Sequence, residues 1–343
     1  MKRILFLAKK GQKYSGSYGY GSSSGLLNSA TFVVDMLNNC GVEAKFVHVV
    51  DNNDIDREVA QYEPDVVVIE ALWVVPQKFD VLTRLHPFVQ WVVRIHSEVP
   101  FLAQEGMAMQ WLFEYLEKTN VCVAFNSLRT MHDFMRVSWS YSPIGNFVES
   151  DKILYLPNYF PEAVQPESSP KLESELNVGC FGAIRPLKNQ LLQAMSAIRY
   201  ADLEHKALYF HMNTTRVEGG EEVLKNIRSL FDNSPHSLVE HEWHKHHKFQ
   251  HLLAHMDLAM CVSLSETFCI VAADAVSLKV PLVCSPEVPW SSRISQADPT
   301  NMDSILDAMY RVLRHDKLSG WLNKRGLKES NSRSVKVWER FLS

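Results

Sequence analysis

The chain has 343 residues, 46% hydrophobic and 22% charged, and a formal net charge of −4 at pH 7, a length and composition that suit two globular domains of about 150 residues. Neither half is basic: residues 1–160 hold 14 Lys+Arg against 17 Asp+Glu and the remainder 21 against 22, so nucleic acid could be held only through a local patch. No apolar run reaches the ~18 residues that a membrane span requires, and no membrane span is expected.

The opening Met1–Lys10 has a basic tip, but its apolar core of five residues is too short for a signal peptide, and Ile4–Ala8 reads as a buried strand. A Gly/Ser/Tyr loop follows from Lys9 to Ser24, where Gly11, Gly16, Gly19 and Gly21 allow backbone to approach a ligand. The spacing Gly19-x-Gly21-x3-Gly25 is not the dinucleotide fingerprint, so a phosphate cradle and a plain flexible lid are both open readings. Leu26, Leu27, Ala30, Val33, Val34 and Leu37 mark a helix that stops at Cys40-Gly41. Strands are expected at Ala44–Val50, Asp65–Glu70, Gln90–His96, Val121–Phe125 and Ile153–Leu156, with helices near 55–62, 77–85, 105–118 and 127–137. Continuous apolar strands spaced by helices imply a parallel sheet covered on both faces. The Pro/Ser/Glu stretch Pro161–Pro170 reads as a linker. A second alternation runs through Asn177–Phe181, Ala207–His211, Leu238–Glu240, Leu258–Val262 and Pro281–Cys284. The expected fold class is therefore α/β, two tandem Rossmann-like domains with parallel sheets facing a central cleft, at residues 1–160 and 161–330. Ser334–Leu342 carries Val335, Trp338, Phe341 and Leu342 on one helical face.

Two stretches of the second domain carry chemistry. In Cys180–Asn189, Arg185 and Lys188 stand ahead of a helix, where they can neutralise a nucleotide diphosphate beside the helix dipole; a solvated surface loop is the plain alternative. In Ser263–Cys284, the apolar run Leu258–Val262 leads to the carboxylate of Glu266. A helix from Phe268 to Leu278 and a second apolar run, Val280–Cys284, follow. A carboxylate at a strand's carboxyl end lies where open α/β sheets bind ligands. Asp274, eight residues on and about two turns along the helix, can address the same ligand at another height; an ordinary crossover with two solvated carboxylates is the alternative. His247, His251 and His255 share a helix face, but no Cys or carboxylate stands at zinc-ligand spacing, so no metal is expected. Six cysteines, at 40, 122, 180, 261, 269 and 284, form no C-x-x-C pair and read as reduced thiols of a cytoplasmic protein.

Residues 263–284 resemble the Glu-x7-Glu signature of retaining glycosyltransferases of the GT-B fold, especially family 4. That signature reads Glu-Gly-Phe-Gly, an apolar run, Glu-Ala, a small residue and Pro-Val-Val. Glu266, Phe268, Asp274, Ala275 and Pro281-Leu282-Val283 match it, with Asp274 for the second Glu and Thr267 and Cys269 for the two glycines. Residues 180–189 resemble the family's phosphate loop, Gly-Arg-Leu-x-Pro-x-Lys followed by Asn or Gly. Gly182, Pro186, Lys188 and Asn189 match in place, Ala183 takes the family Arg position, and Arg185 comes two residues later.

The resemblance implies a UDP-sugar donor, retention of configuration, no cofactor and no metal, with the departing phosphate accepting the acceptor's proton. It implies Lys188 and Arg185 at the diphosphate, Glu266 on the sugar hydroxyls and Asp274 on the ribose. Gly182, Asn189, Thr267, Phe268 and Cys269 would line the donor, with His241 and Trp243 at the base. His96 would face the donor sugar near its C6 hydroxyl. The first domain would receive the acceptor on the side of the loop with Lys13, Gly19 and Gly21, and a helix at 331–343 would cross back to that domain. The stretch Trp91–Ala103 is similar to glycosyltransferases of large tailed phages, which often modify hydroxymethylated pyrimidines in phage DNA. This makes DNA a candidate acceptor, with Lys9, Lys10 and Lys13 as its patch, and the host cytoplasm the place of action. A glycan or lipid-linked saccharide acceptor and a non-catalytic nucleotide-sugar-binding protein are the alternatives; oligomeric state is not legible.

Overall fold

The computed structural model describes residues 2–10, 25–140, 150–161 and 172–343. Lys13, Gly19, Gly21 and most of the expected linker lie outside the described residues. The described residues up to Pro161, together with Asn331–Ser343, form one compact unit, and residues 172–330 form the other.

The first unit alternates β1 (Arg3–Lys9), α1 (Gly25–Asn39), β2 (Glu43–Val49), α2 (Asp54–Tyr62), β3 (Val66–Glu70), α3 (Phe79–Leu85), β4 (Gln90–Ile95), α4 (Val99–Leu102), α5 (Ala108–Leu116), β5 (Val121–Phe125), α6 (Leu128–Ser140) and β6 (Ile153–Tyr155). Its six strands are all parallel, in the order β2-β1-β3-β4-β5-β6. Side chains alternate across a strand, and both faces here are apolar. Leu5, Leu7, Val67, Ile69, Trp91 and Val93 pack under residues of α2, α3 and α5. Ile4, Phe6, Val66, Val68 and Val92 pack on the other face with α1 and Trp338. That double cover is why β3 and β5 are buried at every residue.

The second unit holds β7 (Glu175–Gly179), α7 (Gln190–Leu203), β8 (Ala207–Asn213), α8 (Glu221–Asp232), β9 (Ser237–His241), α9 (His246–Ala254), β10 (Leu258–Cys261), α10 (Ile270–Ser277), β11 (Leu282–Cys284) and α11 (Met302–Arg314). Its five strands are also parallel, in the order β11-β10-β7-β8-β9. One face, with Val178, Leu208, Phe210 and Met260, is sealed by α7, α8 and α11. α11 starts cleanly because the Asn301 side chain accepts from the backbone N–H groups of Asp303 and Ser304.

In both sheets the strand order reverses once, between β1 and β3 and between β7 and β10. Ligands of open α/β sheets bind outside the carboxyl ends of the strands at such a switch point. The structure shifts several expected bounds. β7 ends at Gly179, not Phe181, and α10 starts at Ile270, not Phe268, which lengthens the two loops at the second switch point. The last helix, α12 (Asp316–Leu342), has 27 residues rather than one short segment. Its final residues belong to the first unit, where Trp338 has no exposure, lies 5.7 Å from the Phe6 ring and donates from Nε1 to the Pro157 carbonyl at 3.0 Å. Among the described residues, no helix is long and apolar enough to cross a membrane.

Candidate functional site

At the switch point of the second sheet, the loop after β7 and the loop after β10 are tied into one surface. The Leu264 N–H donates to the Leu187 carbonyl at 2.8 Å. Asn189 donates from Nδ2 to the carbonyls of Val262 and Pro299, at 3.1 and 2.7 Å. Gln193, buried on α7, accepts from the Val262 N–H and donates to the Lys188 carbonyl, both at 2.8 Å. In the loop after β7, two backbone positions have positive φ: Gly182 at 121° and Asn189 at 57°. Gly and Asn are the residues that adopt it most readily.

This scaffold brings Lys188 and Glu266 into an ion pair, joined by a hydrogen bond from Ser263 Oγ to the same carboxylate oxygen at 3.0 Å. Lys188 keeps 26% side-chain exposure and Glu266 10%, so both remain reachable. Burial disfavours the ammonium, but Glu266, with a smaller contribution from Cys269, leaves the Lys188 pKa raised above its ordinary value. Arg185 is paired as well, to Glu218, and Glu218 also binds Arg216. Burial alone would raise the Glu218 carboxyl; Arg216 and then Arg185 hold it below the usual range. Arg216 in turn lies over the Trp243 ring, 4.7 Å from its centroid. Neither Glu218 nor Arg216 carries a local sequence signal, because the loop that holds them meets the β7 loop through tertiary pairing, at the Ile184–Val217 bridge and the Arg185–Glu218 pair.

The Glu266–Cys269 loop is fixed from behind: Trp290 donates from Nε1 to the Phe268 carbonyl at 2.7 Å and packs on the Phe268 ring. Cys269, in the place of the second family glycine, has φ 63°. A backbone shape that favours glycine is thus kept with a side chain added. Cys180, Cys269 and Cys284 are buried free thiols whose pKa values are raised; hydrogen bonding to Cys261 acts first at Cys269, and burial pushes Cys180 and Cys284 to about 12. These are unreactive thiols.

Asp274 lies on α10, turned into the protein. It has no exposure, and its Oδ1 accepts from His246 Nε2 and Gln250 Nε2, each at 2.8 Å. An aspartate is one methylene shorter than the family glutamate, and α9 draws it inward. Its other oxygen, Oδ2, is buried with no hydrogen-bond partner among the described residues. Burial raises its pKa, opposed by His246 and Gln250.

His241 ends β9, and its Nε2 lies 2.9 Å from Nδ1 of His211, with the two rings stacked. Asn213 joins this edge to the loop after β7, accepting from the Gly182 N–H at 3.3 Å and donating to the Glu242 carbonyl at 3.0 Å. His247, His251 and His255 lie exposed on and just after α9. Among the described residues, no group of three or more His, Cys, Asp and Glu is placed to hold a metal.

In the first unit, His96 follows β4 beside that unit's switch point and retains 14% side-chain exposure. Its Nε2 is hydrogen-bonded to Glu70, which is wholly buried at the end of β3 and also paired with the equally buried Arg94. Glu98, two residues after His96, is a further buried carboxylate, accepting from Ser127 Oγ at 2.6 Å and from Thr130 Oγ1.

The two switch-point sheets, all parallel, define the GT-B class of fold. Solved structures of that class match the chain over nearly its whole length. The UDP-forming α,α-trehalose-phosphate synthase of Burkholderia vietnamiensis has a TM-score of 0.67 at 11% identity, covering 100% of this chain and 96% of its own. HepE of Anabaena, solved with UDP and glucose, has a TM-score of 0.64 at 12% identity, with 100% of both chains covered. The N-terminal domain of Candida albicans trehalose-6-phosphate phosphatase has a TM-score of 0.67 at 11% identity, covering 98% and 95%. At these identities the likeness is one of fold. No protein-family model matches the sequence, and no curated protein matches it.

Proposed function

We propose that the chain is a glycosyltransferase that moves a sugar from a nucleotide-sugar donor, UDP-linked, to a hydroxyl acceptor. The observation that carries this reading is the Lys188–Glu266 pair at the switch point of the second sheet. A cation for a diphosphate and a carboxylate for sugar hydroxyls stand together there, on loops similar to the two donor motifs of retaining GT-B enzymes. The UDP-forming synthase and the HepE complex with UDP and glucose support the choice of donor.

In this reading the diphosphate meets Lys188 and the start of α7. The cation and the helix dipole stabilise the negative charge that grows as the glycosidic bond breaks. Arg185 joins them by exchanging Glu218 for phosphate. Glu266 accepts from sugar hydroxyls, Gly182 and the Thr267–Phe268–Cys269 loop approach the donor, and His241 and Trp243 border the base. The proton of the incoming hydroxyl passes to the departing phosphate, with retention at the anomeric carbon and no metal. The acceptor we assign is a hydroxymethylated pyrimidine in DNA, on the likeness of residues 91–103 to phage enzymes. The buried free thiols at 122, 180, 261, 269 and 284 support a reducing compartment such as the cytoplasm.

The test is turnover of a panel of UDP-sugars with hydroxymethylated DNA and with simple glycans, with and without a chelator. Products are read by mass spectrometry and the anomeric configuration by NMR. Transfer to glycans alone overturns the DNA acceptor, an inverted product overturns retention, and loss with the chelator overturns metal independence. Donor binding with neither transfer nor hydrolysis makes the chain a nucleotide-sugar-binding protein instead.

A further inference from the structure

Glu70 carries no role in the reading above, yet few side chains in the first unit are held as tightly. Arg94 donates from Nη1 to both its oxygens, at 3.0 and 3.3 Å. Arg94 is itself fixed: it donates to the Leu156 carbonyl at 2.9 Å and to Asn158 Oδ1 at 2.6 Å, and lies 5.5 Å from the Trp338 ring centroid. Burial alone would raise the Glu70 carboxyl, but Arg94 and then His96 bring it below the ordinary value. The group is an anion with nothing to donate.

The third bond to this carboxylate comes from His96 Nε2. An ionised carboxylate can only accept, so the ring proton sits on Nε2. On the other side of the ring, Asn126 Nδ2 lies 3.4 Å from Nδ1, a long contact that is compatible with a lone pair there. Burial lowers the His96 pKa; Glu70 opposes this and Arg94 adds to it.

We propose that Glu70 is a positioning residue: by keeping the proton of His96 on Nε2, it leaves Nδ1 an acceptor, whose long 3.4 Å contact with Asn126 Nδ2 a substrate hydroxyl replaces. This rests on the reading that places His96 at the substrate. It adds a direction to that contact: the hydroxyl donates and the histidine accepts. Arg94 and Trp338 serve the same end by keeping the carboxylate charged and in place. If the Glu70–Arg94 pair were merely a buried ion pair, stability would depend on it and the tautomer would not.

The test uses full-length protein labelled with 15N in histidine, with the His96 signals identified by their loss in His96→Gln. Nitrogen shifts read the tautomer directly. The wild type is expected to carry its proton on Nε2. Glu70→Asp leaves Arg94 its charge but draws the carboxylate back by one methylene. It is expected to give mixed tautomers and a kcat lower by about tenfold to a hundredfold, the worth of one charged hydrogen bond, with the donor KM held within about twofold. Glu70→Gln, if it folds, should do the same more strongly. A wild-type proton on Nδ1, or a tautomer unchanged in Glu70→Asp, overturns the positioning role. Wild-type turnover in His96→Gln instead overturns the placement of His96 at the substrate, whatever the tautomer does.

Discussion

Lys188 has one carboxylate partner, 78 residues away along the chain, and a quarter of its side chain is still exposed. Replacing it by Ala removes the cation that the proposed function sets against the developing charge, while leaving Glu266 within reach of water. We expect Lys188→Ala to lower turnover by roughly 10²–10³ with an unchanged circular dichroism spectrum, and a rate within about twofold of wild type would sink the phosphate assignment. His211 bears on stability. Burial and then His241 lower its pKa from 6.5 to about 4, so it stays neutral in the fold while the unfolded chain takes up a proton below about 6.5. Stability contributed by the neutral ring is full above that value and is lost as pH falls toward 4. His241, lowered by burial and by His244, acts in the same direction, and Asp274, with its raised pKa, opposes both. The urea midpoint should fall between pH 7 and pH 5, and should fall less in His211→Asn. An equal fall in the variant removes His211 as a cause.

The loop before α10 shows how an element can keep its shape when its sequence changes. Cys269 occupies left-handed backbone that disfavours most side chains by about 1–2 kcal/mol, and its neighbours hold it there through the Trp290–Phe268 bond. A β-branched side chain fits that geometry worst. We expect Cys269→Val to lower unfolding free energy by about 1–3 kcal/mol and Cys269→Gly to change it by less than about 1 kcal/mol, measured by urea titration. Equal losses would show that packing of the thiol, not backbone shape, governs the position. Much of this architecture was legible from residues alone. Strands covered on both faces, such as those with Val66–Ile69 and Val121–Phe125, are unbroken apolar runs, and their alternation with helices admits few other folds. Lys188 and Glu266 were legible because their motifs are local. Glu218, 33 residues from Arg185, and Glu70, 26 from His96, were not, since strand order alone decides which carboxylate meets which cation. The burial of Asp274 was missed for a similar reason: His246 and Gln250 come from another helix.

At the scale of the whole molecule, the net charge of −4 sets a condition on the acceptor. If DNA is the acceptor, as proposed, a chain of that sign holds it through few phosphate contacts, and the proposed ones are Lys9 and Lys10, both exposed, with Lys13. Each contact steepens the fall of log K against log salt by about one unit, so changing all three to Ala should flatten the slope and leave donor affinity nearly unchanged. A salt-independent KM for the acceptor points to a glycan instead. The first unit also depends on residues far along the sequence. Trp338 fills its core between Phe6 and Arg94, and Trp338→Ala should lower unfolding free energy by about 3–5 kcal/mol. A loss under about 1 kcal/mol would mean that the helix end adds little to that core.

The placement of Trp338 has a consequence for how the protein is made. Its indole bonds to the Pro157 carbonyl, 181 residues earlier in the chain. At roughly 5–20 residues per second, a ribosome needs about ten to forty seconds to cover that interval. Throughout it, the sheet face of Ile4, Phe6, Val66 and Val92 emerges without its last cover, while the strands β7 to β11 can already pair. The half synthesised first is thus the half completed last, and a nascent chain stalled before residue 331 carries an apolar face that chaperones or proteases can find.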